Sequence, residues 1–169
     1  VFLSLVAVLL CGIASFAQTQ QIWTAQGFID SVEATGSYEL MANINLGTYD
    51  ATSNNFVIET FSGTFNGNDH TITYQASFTI ENDNEKVGLF ESVSGTGKIT
   101  NLNLDAYITV SGDSVRYTKV ALLCGELANG GTIEFCDVTG EIRSTVKSGS
   151  YGNGSTGLII GNNSGTLQY

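Results

Sequence analysis

Catalysis in this chain of 169 residues would have to draw on few groups. His70 is the single histidine, and Asp69 precedes it. Such a pair could move protons. No third group sits at a spacing that would complete the set, so His70 reads as a turn residue whose ring caps local backbone. Paired carboxylates could cleave a glycosidic bond, and clustered Asp could hold Ca²⁺. Asp105 and Asp137 both fall on outward strand positions, but they lie 32 residues apart in a chain that repeats every 34. Asp137 therefore stacks on Asn103, and Arg143 on Thr109. Lys119 and Arg116 do not gather with Arg143 into a cluster. Beyond residue 17 the cysteines are Cys124 and Cys136, with no CxxC or Cys/His spacing that would suggest zinc. They are expected on different strands, as buried free thiols rather than a disulfide. No catalytic residue, metal ligand or cofactor is expected.

Binding is the chemistry the pattern favours. Outward positions carry Thr73, Thr109, Thr139 and Thr145, together with Tyr107 and Glu141. A face of hydroxyls and an aromatic could contact a polysaccharide or a host or cell-surface protein. Tyr107, Thr109, Glu141 and Arg143 are the candidate binding residues. The bland alternative is a polar exterior that serves solubility alone.

The elements that position these residues come from a repeat. Gly97-Lys98-Ile99, Gly131-Thr132-Ile133 and Gly165-Thr166-Leu167 recur at a spacing of 34. Repeats of this size mean stacked units, none of which buries a core alone. Each unit reads as a short apolar strand, a Gly-rich turn and a long alternating strand. Leu102, Leu104, Ala106, Ile108 and Val110 alternate with Asn103, Asp105, Tyr107 and Thr109. Period two means a strand with one buried and one wet face. Adding 34 places Cys136, Val138, Gly140, Ile142 and Ser144 inside, and a one-residue slip would expose them all. Ile72 to Ile80 alternates in the same way, after a turn carrying Asn66-Gly67-Asn68-Asp69. At the start, Thr24 to Val32 could form a short helix with Thr24 as N-cap and Gly36 beyond its end. Tyr38 to Leu46 reads as one strand. Helix and strand together would cover the sheet edge that a stack exposes.

The run from Val1 to Ala17 is uncharged and apolar and ends in Ser15-Phe16-Ala17. It reads as a signal peptide cleaved before Gln18, and it is shorter than the roughly 18 to 20 residues of a membrane span. Leu10 before Cys11 argues against lipid attachment. The chain has 20 Gly, no Pro and a net charge of −10. That balance fits an exported all-β protein, secreted or on the outer cell surface, with no membrane insertion after cleavage. It argues against nucleic acid and anionic membrane surfaces as partners.

The stretches FSGTFNGNDHTI, VGLF with its GKITNLNL continuation, and ALLCGELANGGTIEFCDVTG resemble the GLUG-type repeat proteins. The opening YELMANINLG is similar to the strand before the first coil in that family. The resemblance covers Ile22 to Tyr169, and departs at Asp69 and Ala121, where the family has Gly. It implies a right-handed parallel β-helix from a family of secreted or surface proteins common in Bacteroidetes, with adhesin-like roles and no established catalytic set. On this reading residues 18–46 form the N-terminal cap and residues 47–169 the coils, at about 56–86, 87–119, 120–155 and a partial 156–169. The last coil lacks its long strand, so the natural protein is expected to continue. Asp30-Ser31-Val32 and Asp113-Ser114-Val115 resemble O-glycosylation sites of the same bacteria. The expected activity is adhesin-like binding of glycan or partner protein. The rivals are a polysaccharide lyase or hydrolase, and a spacer stalk.

Overall fold

A computed structural model describes residues 18–115, 117–145, 147–148 and 154–169. The signal-like run 1–17 lies outside the described residues. Among the described residues the architecture is all-β, a solenoid-like stack of parallel sheets with one short helix. Each coil runs through up to four strands in turn. The second full coil contains Lys86–Val87, Phe90–Val93, Lys98–Thr100 and Asn103–Val115. The last three pair in parallel with their counterparts in the coils on either side, and Lys86–Val87 pairs with its counterpart in the next coil only. The result is a three-stranded sheet, a four-stranded sheet, a six-stranded sheet and a long sheet. The long sheet stacks Ile44–Thr48, Thr71–Ile80, Asn103–Val115 and Asp137–Ser144, with Lys147–Ser148 pairing at its end.

Register explains why a 34-residue repeat holds. Thr64, Lys98, Thr132 and Thr166 are successive partners, each 34 residues on. Asn103 pairs with Asp137 at the same spacing, but Thr71 pairs with Asn103 across only 32. The first coil holds two extra residues at the corner between its six-stranded-sheet strand and its long strand. Asn68 and Asp69 take up that slack with φ of 51° and 60°, the left-handed region that Asn and Asp tolerate. The corner is tied down by Asn66, whose Oδ1 accepts from the Asn68 N–H at 3.0 Å and from Asn101 Nδ2 at 3.1 Å. At Gly67 a Cβ would run into the Leu102 Cα and the Asn101 carbonyl, so this corner closes only on glycine.

The strand expected over Tyr38 to Leu46 is two strands, Ser37–Leu40 and Ile44–Thr48, in different sheets. Tyr38, Leu40, Ile44 and Leu46 are all buried, so the alternation passes unbroken through the corner and conceals it. At Asn101 (φ 52°), which separates Lys98–Thr100 from Asn103–Val115, the alternation instead slips by one residue, from inward Ile99 to inward Leu102. The helix runs Ala25–Ser31, and Thr24 caps it by accepting from the Gly27 N–H at 3.0 Å. Its Phe28 is fully buried and meets the Phe65 ring edge-on at 5.9 Å.

Phe61 and Phe65 both pack on Phe90 of the next coil, at 5.2 and 6.1 Å between ring centres. Tyr74 reaches across the interior, and its Oη donates to the Leu122 carbonyl at 2.5 Å. Leu104, Ala106, Ile108 and Val110 are buried as the alternation requires. In Asp137–Ser144 the same register gives half-buried Val138 and Ile142 and exposed Gly140 and Ser144, because this strand has a neighbour along its length on one side only. Cys136 is buried as expected, and Cys124 and Cys136 are free thiols. Burial pushes the Cys124 thiol up to about 12 and keeps it protonated.

Gly67→Ala is expected to lower the unfolding free energy by about 1–3 kcal/mol, the usual cost of overpacking. Tyr74→Phe is expected to cost about 1 kcal/mol, because the Leu122 carbonyl keeps the Leu89 N–H at 3.1 Å and is not orphaned. Urea titrations followed by circular dichroism would measure both. Loss of less than half of either value would contradict the packing described.

Candidate functional site

In-register pairing turns the wet face of the long sheet into rows of side chains that run across the strands. Asn45, Thr73, Asp105 and Thr139 form one row. Gln75, Tyr107 and Glu141 form the next, and Ser77, Thr109 and Arg143 the one after. The four candidate residues therefore meet, as the repeat arithmetic requires. Tyr107 lies opposite Glu141, and Thr109 opposite Arg143.

Their side chains hold one another. Arg143 Nε donates to Glu141 Oε1 at 2.7 Å, and the guanidinium lies over the Tyr107 ring, 5.3 Å from its centre. The Glu141 hydrogen bond, with the Glu141 charge behind it, holds Arg143 still more firmly protonated. Thr109 shares a hydrogen bond of 2.8 Å with Ser77. The Thr139 and Thr145 hydroxyls donate to the carbonyls of Leu104 and Val110, at 3.3 and 3.5 Å. Of the threonines picked out for binding, only Thr73 has a hydroxyl without a partner among the described residues.

Between the first two rows runs an open trough of about 510 Å³. Asn45, Thr73 and Asp105 line one side, Gln75, Tyr107 and Glu141 the other, and the backbone at Tyr74, Ala106 and Gly140 forms the floor. It crosses four strands, a length of about 14 Å at the usual strand spacing. The sequence reading missed Asn45 and Gln75. Gln75 sits on an outward position of a recognised alternation. Asn45 pairs with Thr73 across 28 residues, and the register then shifts before Gly47, so no 34-residue arithmetic reaches it.

The other groups weighed for chemistry are scattered. The His70 ring makes no hydrogen bond among the described residues. The residue closes its turn through backbone instead, its N–H donating to Gly67 at 2.9 Å and its carbonyl accepting from Asn103 at 3.1 Å. Asp137 stacks on Asn103, and Arg143 on Thr109, as expected. Lys119 is turned to Glu126 at 2.6 Å, and Arg116 lies outside the described residues. Ser31 ends the helix half-buried, and the side chain of Ser114 lies outside the described residues. Among the described residues no three His, Cys, Asp or Glu side chains converge as a metal site needs.

Two glutamates on the four-stranded sheet carry opposite electrostatics. Burial pushes Glu126 up, but hydrogen bonds from Lys119 and Lys86 outweigh it and hold its carboxyl down to about 2. Glu91 is raised by burial first and then by Glu59, beside it in register; Lys86 opposes and Glu85 adds to the rise. A depressed carboxyl stabilises the fold above its unfolded value near 4.3 and loses that contribution as pH falls toward 2. A raised one penalises the fold once it ionises, and the penalty fades as pH drops. Glu126→Gln is therefore expected to lower the melting temperature at pH 7 with little effect near pH 2. Glu91→Gln is expected to raise it at pH 7, with the gain shrinking below pH 5. Melting curves across that range check both, and matching pH profiles for the two variants would contradict the assignment.

Compared with known protein families, with curated proteins and with solved structures, the chain matches none.

Proposed function

We propose that this chain is a secreted or cell-surface right-handed parallel β-helix. Its long-sheet face binds a glycan or a partner protein, as an adhesin does. The observation that carries the reading is the trough beside the Tyr107–Arg143–Glu141 cluster. Asp105, Gln75 and Thr73 point polar groups into it that make no hydrogen bond with any described residue. Polar groups that serve only solubility need no such concave arrangement. The GLUG-type resemblance and the apolar run at 1–17 favour export, and the net charge of −10 disfavours nucleic acid.

Binding is favoured over polysaccharide cleavage because Glu141, the second carboxylate of the trough, is committed to Arg143 at 2.7 Å. A spacer stalk would leave the trough without a role.

A screen of immobilised glycans and surface proteins with the chain from Gln18 onward tests the proposal. One ligand class is expected to be retained, with Tyr107→Ala weakening it by about tenfold, the equivalent of a contact of roughly 1.4 kcal/mol. Retention of nothing, or equal retention of parent and variant, would overturn this face as the binding site.

A further inference from the structure

The charges around the trough narrow its ligand, provided the long-sheet face is the binding face as proposed above. The chain has six Lys and Arg. The four whose side chains are described are all committed to carboxylates. Lys86 and Lys119 hold Glu126 at 2.7 and 2.6 Å, Lys98 holds Glu134 at 2.8 Å, and Arg143 holds Glu141 at 2.7 Å. Arg143 is the one cation of these at the trough, and it also lies on the Tyr107 ring. With Glu141 and Arg143 cancelling, Asp105 leaves the trough a net negative charge. An anionic chain would enter against that charge, against the net −10 of the whole molecule, and with no uncommitted cation among the described side chains to meet it.

The remaining groups suit hydroxyls. Asp105 is an exposed carboxylate and accepts only. The Gln75 amide offers two donors and an acceptor, and the Asn45 amide nitrogen keeps its donors because only its Oδ1 is used, accepting from the Gly47 N–H at 2.9 Å. Acceptors and donors thus face one another along the walls, the pattern that a hydroxyl, both donor and acceptor, satisfies. The trough crosses the strands, so a linear chain would lie parallel to the stacking direction.

We propose that the trough takes a neutral, linear polysaccharide lying across the four strands, its hydroxyls donating to Asp105 and accepting from Gln75 and Asn45. The test is calorimetric titration with hexasaccharides of β-1,4-glucan, β-1,3-glucan and β-1,4-mannan, and with hexagalacturonate, each at low and at high salt. One of the neutral oligomers is expected to bind with an affinity that salt leaves unchanged, since no charge is screened. Asp105→Asn and Gln75→Ala are expected to weaken it tenfold or more without shifting the unfolding midpoint, because both side chains are exposed. Tighter binding of hexagalacturonate that is lost in Tyr107→Ala would overturn the neutral ligand and leave the face reading intact. Neutral binding that is lost in Tyr107→Ala but indifferent to Asp105→Asn and Gln75→Ala would overturn the placement in the trough. Neutral binding indifferent to all three would overturn both the trough and the face. Binding of none of the four sugars would overturn the polysaccharide, and a protein partner retained by the parent but not by Tyr107→Ala would then preserve the face.

Discussion

Everything in this molecule depends on coils pairing with coils in register. A parallel ladder satisfies the backbone of each strand only through the strand above and below it, so no coil can settle alone. The same ladder decides which side chains meet. Inside, it sets Phe61 and Phe65 of one coil against Phe90 of the next. Outside, it sets Tyr107 beside Glu141 and Thr109 beside Arg143. Core and candidate site are the two faces of one constraint, and a slip of one residue would exchange them.

How much of this could be read beforehand depended on whether a corner intervened. Tyr107, Thr109, Glu141 and Arg143 lie in two long strands joined by a coil of uniform length, so adding 34 placed them correctly. Asn45 lies before the bulge at Gly47 and before the longer corner at Asn68–Asp69, and the same arithmetic fails there. The corner at 41–43 was invisible because inward and outward positions keep alternating through it, whereas at Asn101 the inward positions step from Ile99 to Leu102. Side-chain choices were beyond a one-dimensional pattern altogether. Nothing in the spacing says that Arg143 covers the Tyr107 ring, or that the His70 ring leaves its turn to the backbone.

Charge is distributed with the same economy of neighbours. With few cations and many carboxylates, each described lysine and arginine side chain has settled on an acid, and Glu126 alone takes two lysines and the amide of Asn162, the last at 3.3 Å. Glu91, in register with Glu59, has no ion pair with a described lysine or arginine, because Lys86 is drawn to Glu126 at 2.7 Å. Two carboxylates on one sheet thus titrate in opposite directions because of which neighbours the stacking supplies.

The two extra residues at Asn68 and Asp69 have a wider consequence. They bulge outward at a corner, the chain re-enters its ladder at Thr71, and every inward side chain beyond them falls where it would have fallen without them. Coil length is therefore free to drift at the corners while register along the strands is not. Such a scaffold can acquire new loops beside its trough, in steps as small as a dipeptide, and its ligand preference can diverge while its interior stays the same. Relatives sharing this interior could then differ most at the corners.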